Sequence, residues 1–196
     1  DAVQEFRVLR NQFDAEYARA GTAVVNVVTR SGTNDLHGQL SYFGRDDKLN
    51  SKNAFAKTKP PFDSARVSGT VGGPIARNKA FYFGALEYVR ENSVRIIALN
   101  ATNPFASQFN GVYDNGRRQK TAQAKIDYTL NPQHAFSVRY LYDNQDIFET
   151  YELSENTNLD VNDLAAHWNW TLGGSMLNSV VCQFLDQDTQ RFQMAQ

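Results

Sequence analysis

Three histidines, one cysteine and scattered carboxylates and hydroxyls are the side chains of this sequence that could do chemistry, and their spacing argues against most of it. His37, His134 and His167 lie far apart, two in strand interiors and one in a turn, so no His-x-x-x-His zinc pair arises. They read as solvated side chains. Cys182 is the sole cysteine, which excludes an internal disulfide and any multi-thiolate metal site, and it is expected to pack on a strand face. No Gly-x-Ser-x-Gly elbow supplies an acyl-transfer nucleophile. Gly69, Gly72 and Gly73 lie between two strand-like runs and precede no helix, which suits a bend and not a phosphate loop. Asp160, Asn162 and Asp163 lack the glycine and terminal glutamate of a calcium loop. Neither an enzyme nor a bound cofactor is expected.

The remaining question is what the polar residues are mounted on. The chain has 196 residues, enough for one domain with a core and short for two. With 20 Lys and Arg against 21 Asp and Glu the net charge is −1, so no basic field attracts nucleic acid, and no nucleic-acid partner is expected. Hydrophobics at 41% and aromatics at 12% are too many for a disordered chain. Mean hydropathy is −0.53 and no run of 18 apolar residues occurs, so no helical span is expected. A membrane β-barrel passes that filter, because its strands alternate apolar and polar residues.

That alternation is what the sequence shows. Ala122, Ala124, Ile126 and Tyr128 interleave with Gln123, Lys125, Asp127 and Thr129. Phe136, Val138, Tyr140 and Tyr142 interleave with Ser137, Arg139 and Asp143, and the turn Leu130 to His134 joins the two runs into a hairpin. A second hairpin places Leu164, Ala166, Trp168, Trp170 and Leu172 on one face before Gly173, Gly174 and Ser175, and returns from Leu177 to Asp186. A third turns through Ala76 to Lys79, and the single strand LHGQLSYFG precedes it. About seven strands follow residue 35.

The connections alternate in length. Short turns are expected near 74–79, 130–134 and 173–176, and long polar loops near 45–65, 91–117 and 144–162. This is the pattern of an outer-membrane barrel, with short periplasmic turns and long external loops. Strand runs near the roughly 9–11 residues of a tilted membrane strand agree. So does the placing of Tyr128, Tyr140, Tyr142, Trp168 and Trp170 on faces aimed at lipid. An odd strand count leaves two open edges, so the chain is expected to be part of a larger barrel.

Residues 1–34 differ, with a helix-compatible middle, Phe13 to Ala20, between two β-like runs. Val8, Leu9 and Arg10, then Glu16 and Tyr17, then Val24 to Arg30, resemble the end of the plug domain of TonB-dependent outer-membrane receptors. The stretches SGTNDLHGQLSYFGRDDKLNSKNAFA and VSGTVGGPIARNKAFYFGALEYVRE are similar to the first barrel strands of the Oar-like branch, whose members often carry a carboxypeptidase-regulatory-like domain. Residues 1 to about 90 carry the resemblance closely, and beyond 118 it is one of pattern. The sequence departs from the family where Asn11 and Gln12 follow Arg10 and where Ala18, Thr22 and Ala23 replace glycines.

The resemblance implies a mainly β fold: an antiparallel up-and-down transmembrane barrel segment at 35–196, preceded at 1–34 by the small α/β end of a plug. It implies an outer-membrane address in a Gram-negative bacterium, outer-membrane lipid around the wall, and energy-coupled uptake of an unidentified substrate driven by the inner-membrane TonB complex. Arg10 matches the plug arginine that pairs with acidic wall residues, for which Glu87 and Asp127 are the candidates. Substrate contacts are expected from loops bearing Phe55, Phe62, Phe105, Phe109, Tyr113 and Tyr151, although loop aromatics more often pack the loop itself. A surface binding or adhesion module with a soluble β-sandwich fold is the alternative, and an outer-membrane enzyme on a smaller barrel is a third reading.

Overall fold

The computed structural model describes residues 2–10, 23–52, 59–149 and 155–193. The helix-compatible stretch Phe13 to Ala20 and the loop aromatics Phe55 and Tyr151 lie outside them. The described residues form two sheets. Strands β1 (Val3–Arg10) and β2 (Ala23–Thr29) pair antiparallel as a separate ribbon. The second sheet has β3 (His37–Asp46), β4 (Asp63–Ala76), β5 (Ala80–Ile97), β6 (Gly111–Asn131), β7 (His134–Glu149), β8 (Glu155–Leu172) and β9 (Met176–Gln193). Its strand order is the chain order, so each strand pairs with its sequence neighbours in an up-and-down meander. Among the described residues β3 and β9 are its open edges.

The turns are where local chemistry requires them. Asn78 takes φ 61° at the β4–β5 turn, a conformation asparagine tolerates, and Lys79 N–H donates to the Ala76 carbonyl at 3.1 Å. At the β6–β7 turn Asn131 Oδ1 accepts from the amides of Gln133 and His134 at 3.0 and 2.9 Å. Gly173 supplies φ 61° between β8 and β9.

Residues opposite one another across strands share a face, so the register fixes the two faces of the wall. One carries Ala124, Tyr140, Leu164 and Phe184 in one row, and Ile126, Val138, Ala166 and Cys182 in another. The other carries Gln123, Lys125, Arg139, Asp127, Ser137 and His167. Exposure is inverted relative to a water-soluble protein: Ile126 is 51% exposed, whereas Gln123 is 8% exposed. A soluble sandwich needs a second sheet over the apolar face. Among the described residues no second sheet covers it, and so large an uncovered patch calls for lipid.

Two expectations are corrected. Strand lengths are not near ten residues but reach 21 in β6 and 18 in β5, β8 and β9. The long loops expected at 91–117 and 144–162 are largely ladder, leaving only 98–110 and 150–154 between the strands. The physical reason is that Asn and Asp side chains in these stretches bond across strands. Asn144 Nδ2 donates to Asp160 Oδ1 at 2.7 Å and Asn158 Nδ2 to Asp146 Oδ1 at 2.6 Å, so residues typical of loops here brace a hairpin.

Candidate functional site

The ribbon lies against the polar face of the wall. Ala2 and Val3 line a cleft of about 210 Å³ with Ser68, Glu87, Thr121 and Gln123. Val27, Val28 and Thr29 line another, of about 350 Å³, with Lys125, Asp127, Arg139 and His167. Apolar residues alternate poorly in β2, AVVNVVT, because a narrow ribbon offers valines to both sides.

The link from β2 to β3 is tied down at three successive points. Lys125 Nζ donates to Ser31 Oγ at 2.7 Å. A Cβ added to Gly32 would stand 2.2 Å from the Tyr82 carbonyl oxygen and 2.8 Å from that of Gly73, so the link presses directly on the backbone of β4 and β5. Asn34 Nδ2 donates to Asn78 Oδ1 at 2.7 Å, and Asn78 N–H donates to Asn34 Oδ1 at 2.8 Å, a reciprocal pair at the β4–β5 turn. In sequence Lys125 stands only as a polar-face residue of an alternating strand, and Ser31, Gly32 and Asn34 only within a Ser-Gly-Thr-Asn run between two strands that do not form a hairpin.

Around this junction the wall holds opposed charges in largely buried positions. Lys125 Nζ stands 3.4 Å from Asp127 Oδ1. Arg139 Nη2 stands 2.7 Å from Asp163 Oδ2, and Asp163, 5% exposed, accepts from Gln183 Nε2 at 2.7 Å on its other oxygen. Removing one member of such a pair strands the other as a buried charge. Asp127 Oδ2 and Arg139 Nε are buried with no partner, so the cleft keeps one acceptor and one donor unspent.

The three residues singled out from sequence divide. Glu87 lines the same cleft as Val3 and approaches Arg66 at 4.0 Å, and Asp127 lines the same cleft as Thr29. Val3 pairs with Thr29 at one end of the ribbon, while Glu87 stands opposite Thr121, six residues before Asp127 on β6, so the two carboxylates are about 20 Å apart along the wall. Arg10 closes β1 at the other end, paired with Ala23, roughly 23 Å further along an extended chain. Of the loop aromatics, Phe105 and Phe109 pack together at 6.2 Å around a short helix, α1 (Ala106–Phe109). The Tyr113 hydroxyl, on β6 and not in a loop, donates to the Phe109 carbonyl at 2.9 Å. The Phe62 ring lies 5.1 Å below the Arg45 guanidinium.

On the apolar face the short-turn end carries a stack of rings. Trp168 lies 6.0 Å from Phe136 and 5.9 Å from Trp170, and His134 lies 5.6 Å from Trp170. Trp168 Nε1 donates to His134 Nδ1 at 3.2 Å. His134 is therefore not the solvated residue that its turn position suggested. Tyr140 and Tyr142 stand higher on β7, with their hydroxyls donating to Asn162 and Asp160. From His134 to Tyr142 the strand climbs about 27 Å, which with tilt matches an apolar band bounded by aromatic girdles.

Residues 28–119 match the family model of an outer membrane beta barrel domain. This is an outer-membrane β-barrel protein. The match begins within β2 and ends within β6, so it spans the tied link. No curated protein and no solved structure matches the chain. Its address is the outer membrane of a Gram-negative bacterium. The apolar face of the wall thus meets lipid, the polar face meets the lumen, and the short turns stand on the periplasmic side.

Proposed function

We propose that this outer-membrane protein is a TonB-dependent importer, in which the β1–β2 ribbon is the end of a plug and the seven-stranded sheet the start of the surrounding wall. The observation that carries the reading is the seat of the ribbon on the lumenal face, held through Ser31, Gly32 and Asn34. A plug must block the lumen yet be displaceable, and a fixed exit point lets a pull upstream rearrange the plug without detaching it from the wall. The likeness of Val8 to Arg10 and Val24 to Arg30 to the family's plug end supports the same reading.

In this reading Arg10, Glu87 and Asp127 are plug-to-wall contacts. Glu87 and Asp127 each line a cleft beside the ribbon, and Arg10, at the end of β1 away from Val3, is the plug arginine. The unspent oxygen of Asp127 gives the moving element a polar partner to exchange. The chain is a conduit and not an enzyme, its energy-coupling partner is the inner-membrane TonB complex, and its substrate enters from the side of the long connections.

The test is binding of the host's TonB periplasmic domain to the full-length gene product in detergent. Saturable binding supports the importer. Its absence with the full-length protein, together with uptake phenotypes that ignore the proton gradient, overturns it.

A further inference from the structure

We propose that the lipid-side face of the wall carries a carbohydrate-binding groove above the bilayer, with Phe148 and Phe192 as stacking platforms and Asn156 between them. It rests on the outer-membrane address and not on the import reading. On this face the chemistry changes abruptly above Tyr142. The next row is Lys120, Asn144, Asp160 and Asp188, and the row beyond is Arg118, Asp146, Asn158 and Gln190. Lipid tails do not tolerate such rows, so they stand at or above the headgroups. The third row is Gly116, Phe148, Asn156 and Phe192, which returns two large rings to a region with no apolar phase to receive them.

The rings are arranged to receive a flat, partly apolar ligand. Phe148 lies across Gly116: a Cβ there would stand 2.4 Å from the ring's Cζ and 2.9 Å from the Glu91 carbonyl oxygen. The Arg118 guanidinium sits 5.9 Å from the centroid of the same ring. Phe192 is 54% exposed, two strand spacings or about 9.5 Å from Phe148 across Asn156. Between the rings Asn156 Oδ1 is buried without a hydrogen-bond partner, an acceptor waiting for a hydroxyl donor.

The groove has a volume of about 510 Å³, within the roughly 300–1,000 Å³ of ligand sites. Its polar lining combines amides with both signs of charge, Arg118 against Asp146 and Asp160, and Asp146 is already engaged by Asn158. One cation against two carboxylates leaves the lining net negative, which disfavours a phosphate, and among the described residues no group of three His, Cys, Asp or Glu side chains is placed to hold a metal. Amides and carboxylates for hydroxyl groups, with aromatic faces for C–H surfaces, fit a neutral saccharide. Such a saccharide has two sources at this height, the sugars of an outer-leaflet glycolipid or a free oligosaccharide.

The test uses the full-length protein in nanodiscs. In one arm, a lipid-free, phosphate-free neutral oligosaccharide of the O-antigen is titrated into phosphatidylcholine discs by calorimetry. In the other, hydrogen exchange at 146–149 and 155–158 is compared between discs with and without intact lipopolysaccharide. Binding in the first arm that Phe148→Ala and Phe192→Ala each weaken about tenfold, with Leu164→Ala silent, supports the groove with a free saccharide as ligand. Protection in the second arm alone, lost in both ring variants, supports it with the anchored glycolipid as ligand. Absence of both signals overturns it, as does binding that neither ring variant alters. Phe192 is an exposed ring on a surface strand, so its variant keeps the test decisive if Phe148→Ala fails to fold.

Discussion

Lys125 Nζ donates to Ser31 Oγ at 2.7 Å, a bond between residues 94 positions apart that joins the link after the ribbon to β6, the fourth strand counted from the β3 edge. Lys125 is only 15% exposed and also faces Asp127, so its ammonium serves two partners in a mostly desolvated place. Lys125→Met therefore removes the link's anchor and leaves the Asp127 carboxylate without its cation. A double-mutant cycle of Ser31→Ala and Lys125→Met in the full-length protein, read by urea unfolding in detergent, is expected to show a coupling of about 0.5–3 kcal/mol. Additive effects would mean that the two residues are neighbours without a shared interaction.

Gly32 is the tightest point of the same link. Its added Cβ would meet two backbone oxygens, and neither can move without displacing the β4–β5 ladder. Gly32→Ala is expected to lift the link and cost about 1–3 kcal/mol, the range of overpacking in a rigid site. Gly174→Ala is the control, since nothing lies within 4 Å of its added Cβ. Amide exchange at 31–35 separates the two outcomes: faster exchange in Gly32→Ala and none in Gly174→Ala is expected, and equal exchange would place the strain elsewhere.

The strand faces were legible because side-chain direction in a strand has period two, so Ala122 to Tyr128 declares its apolar side without any partner. The ladder's extent was not legible. Asn144, Asp146, Asn158 and Asp160 are turn formers by local preference, and only pairing across β7 and β8 makes them rungs. His134 was misread for a similar reason, since its two tryptophan neighbours lie 34 and 36 positions away on the next strand. The junction residues Ser31 and Lys125 have unremarkable local contexts, and only the seating of the ribbon on the wall brings them together. The carboxylates Glu87 and Asp127 were picked for sign and face, and both line clefts beside the ribbon.

Val138 and Ser137 are adjacent in sequence and face opposite phases. Val138 is 46% exposed on the lipid side, in a row with Ile126 and Ala166. Val138→Arg is expected to cost about 2–4 kcal/mol near the bilayer midplane. Ser137 pairs directly with Asp127, whose Oδ2 lacks a partner, so Ser137→Arg offers that oxygen a guanidinium and is expected to cost far less. Unfolding of both variants in detergent or vesicles checks this, and equal costs would mean that the assignment of lipid and lumen faces is wrong.

Asp46 ends β3 at the outer rim, clear of the lipid band, and its Oδ1 accepts the Lys48 amide at 2.8 Å to cap the single 3-10 turn Asp47–Leu49. That amide bond, helped by Asp47 and by the charges of Lys48 and Lys59, holds the Asp46 carboxyl below its ordinary value, with desolvation opposing. A carboxyl depressed in the folded state stabilises the turn fully above its unfolded pKa of about 4, and the contribution is lost as pH falls through the lower folded value. The turn should therefore survive mild acid and loosen only below about pH 4. The Lys48 amide resonance is the readout. It should shift with the Asp46 titration in the native protein and show no such transition in Asp46→Asn, which keeps an acceptor oxygen but not the charge. A transition that persists in Asp46→Asn would belong to another group and remove the cap from the explanation.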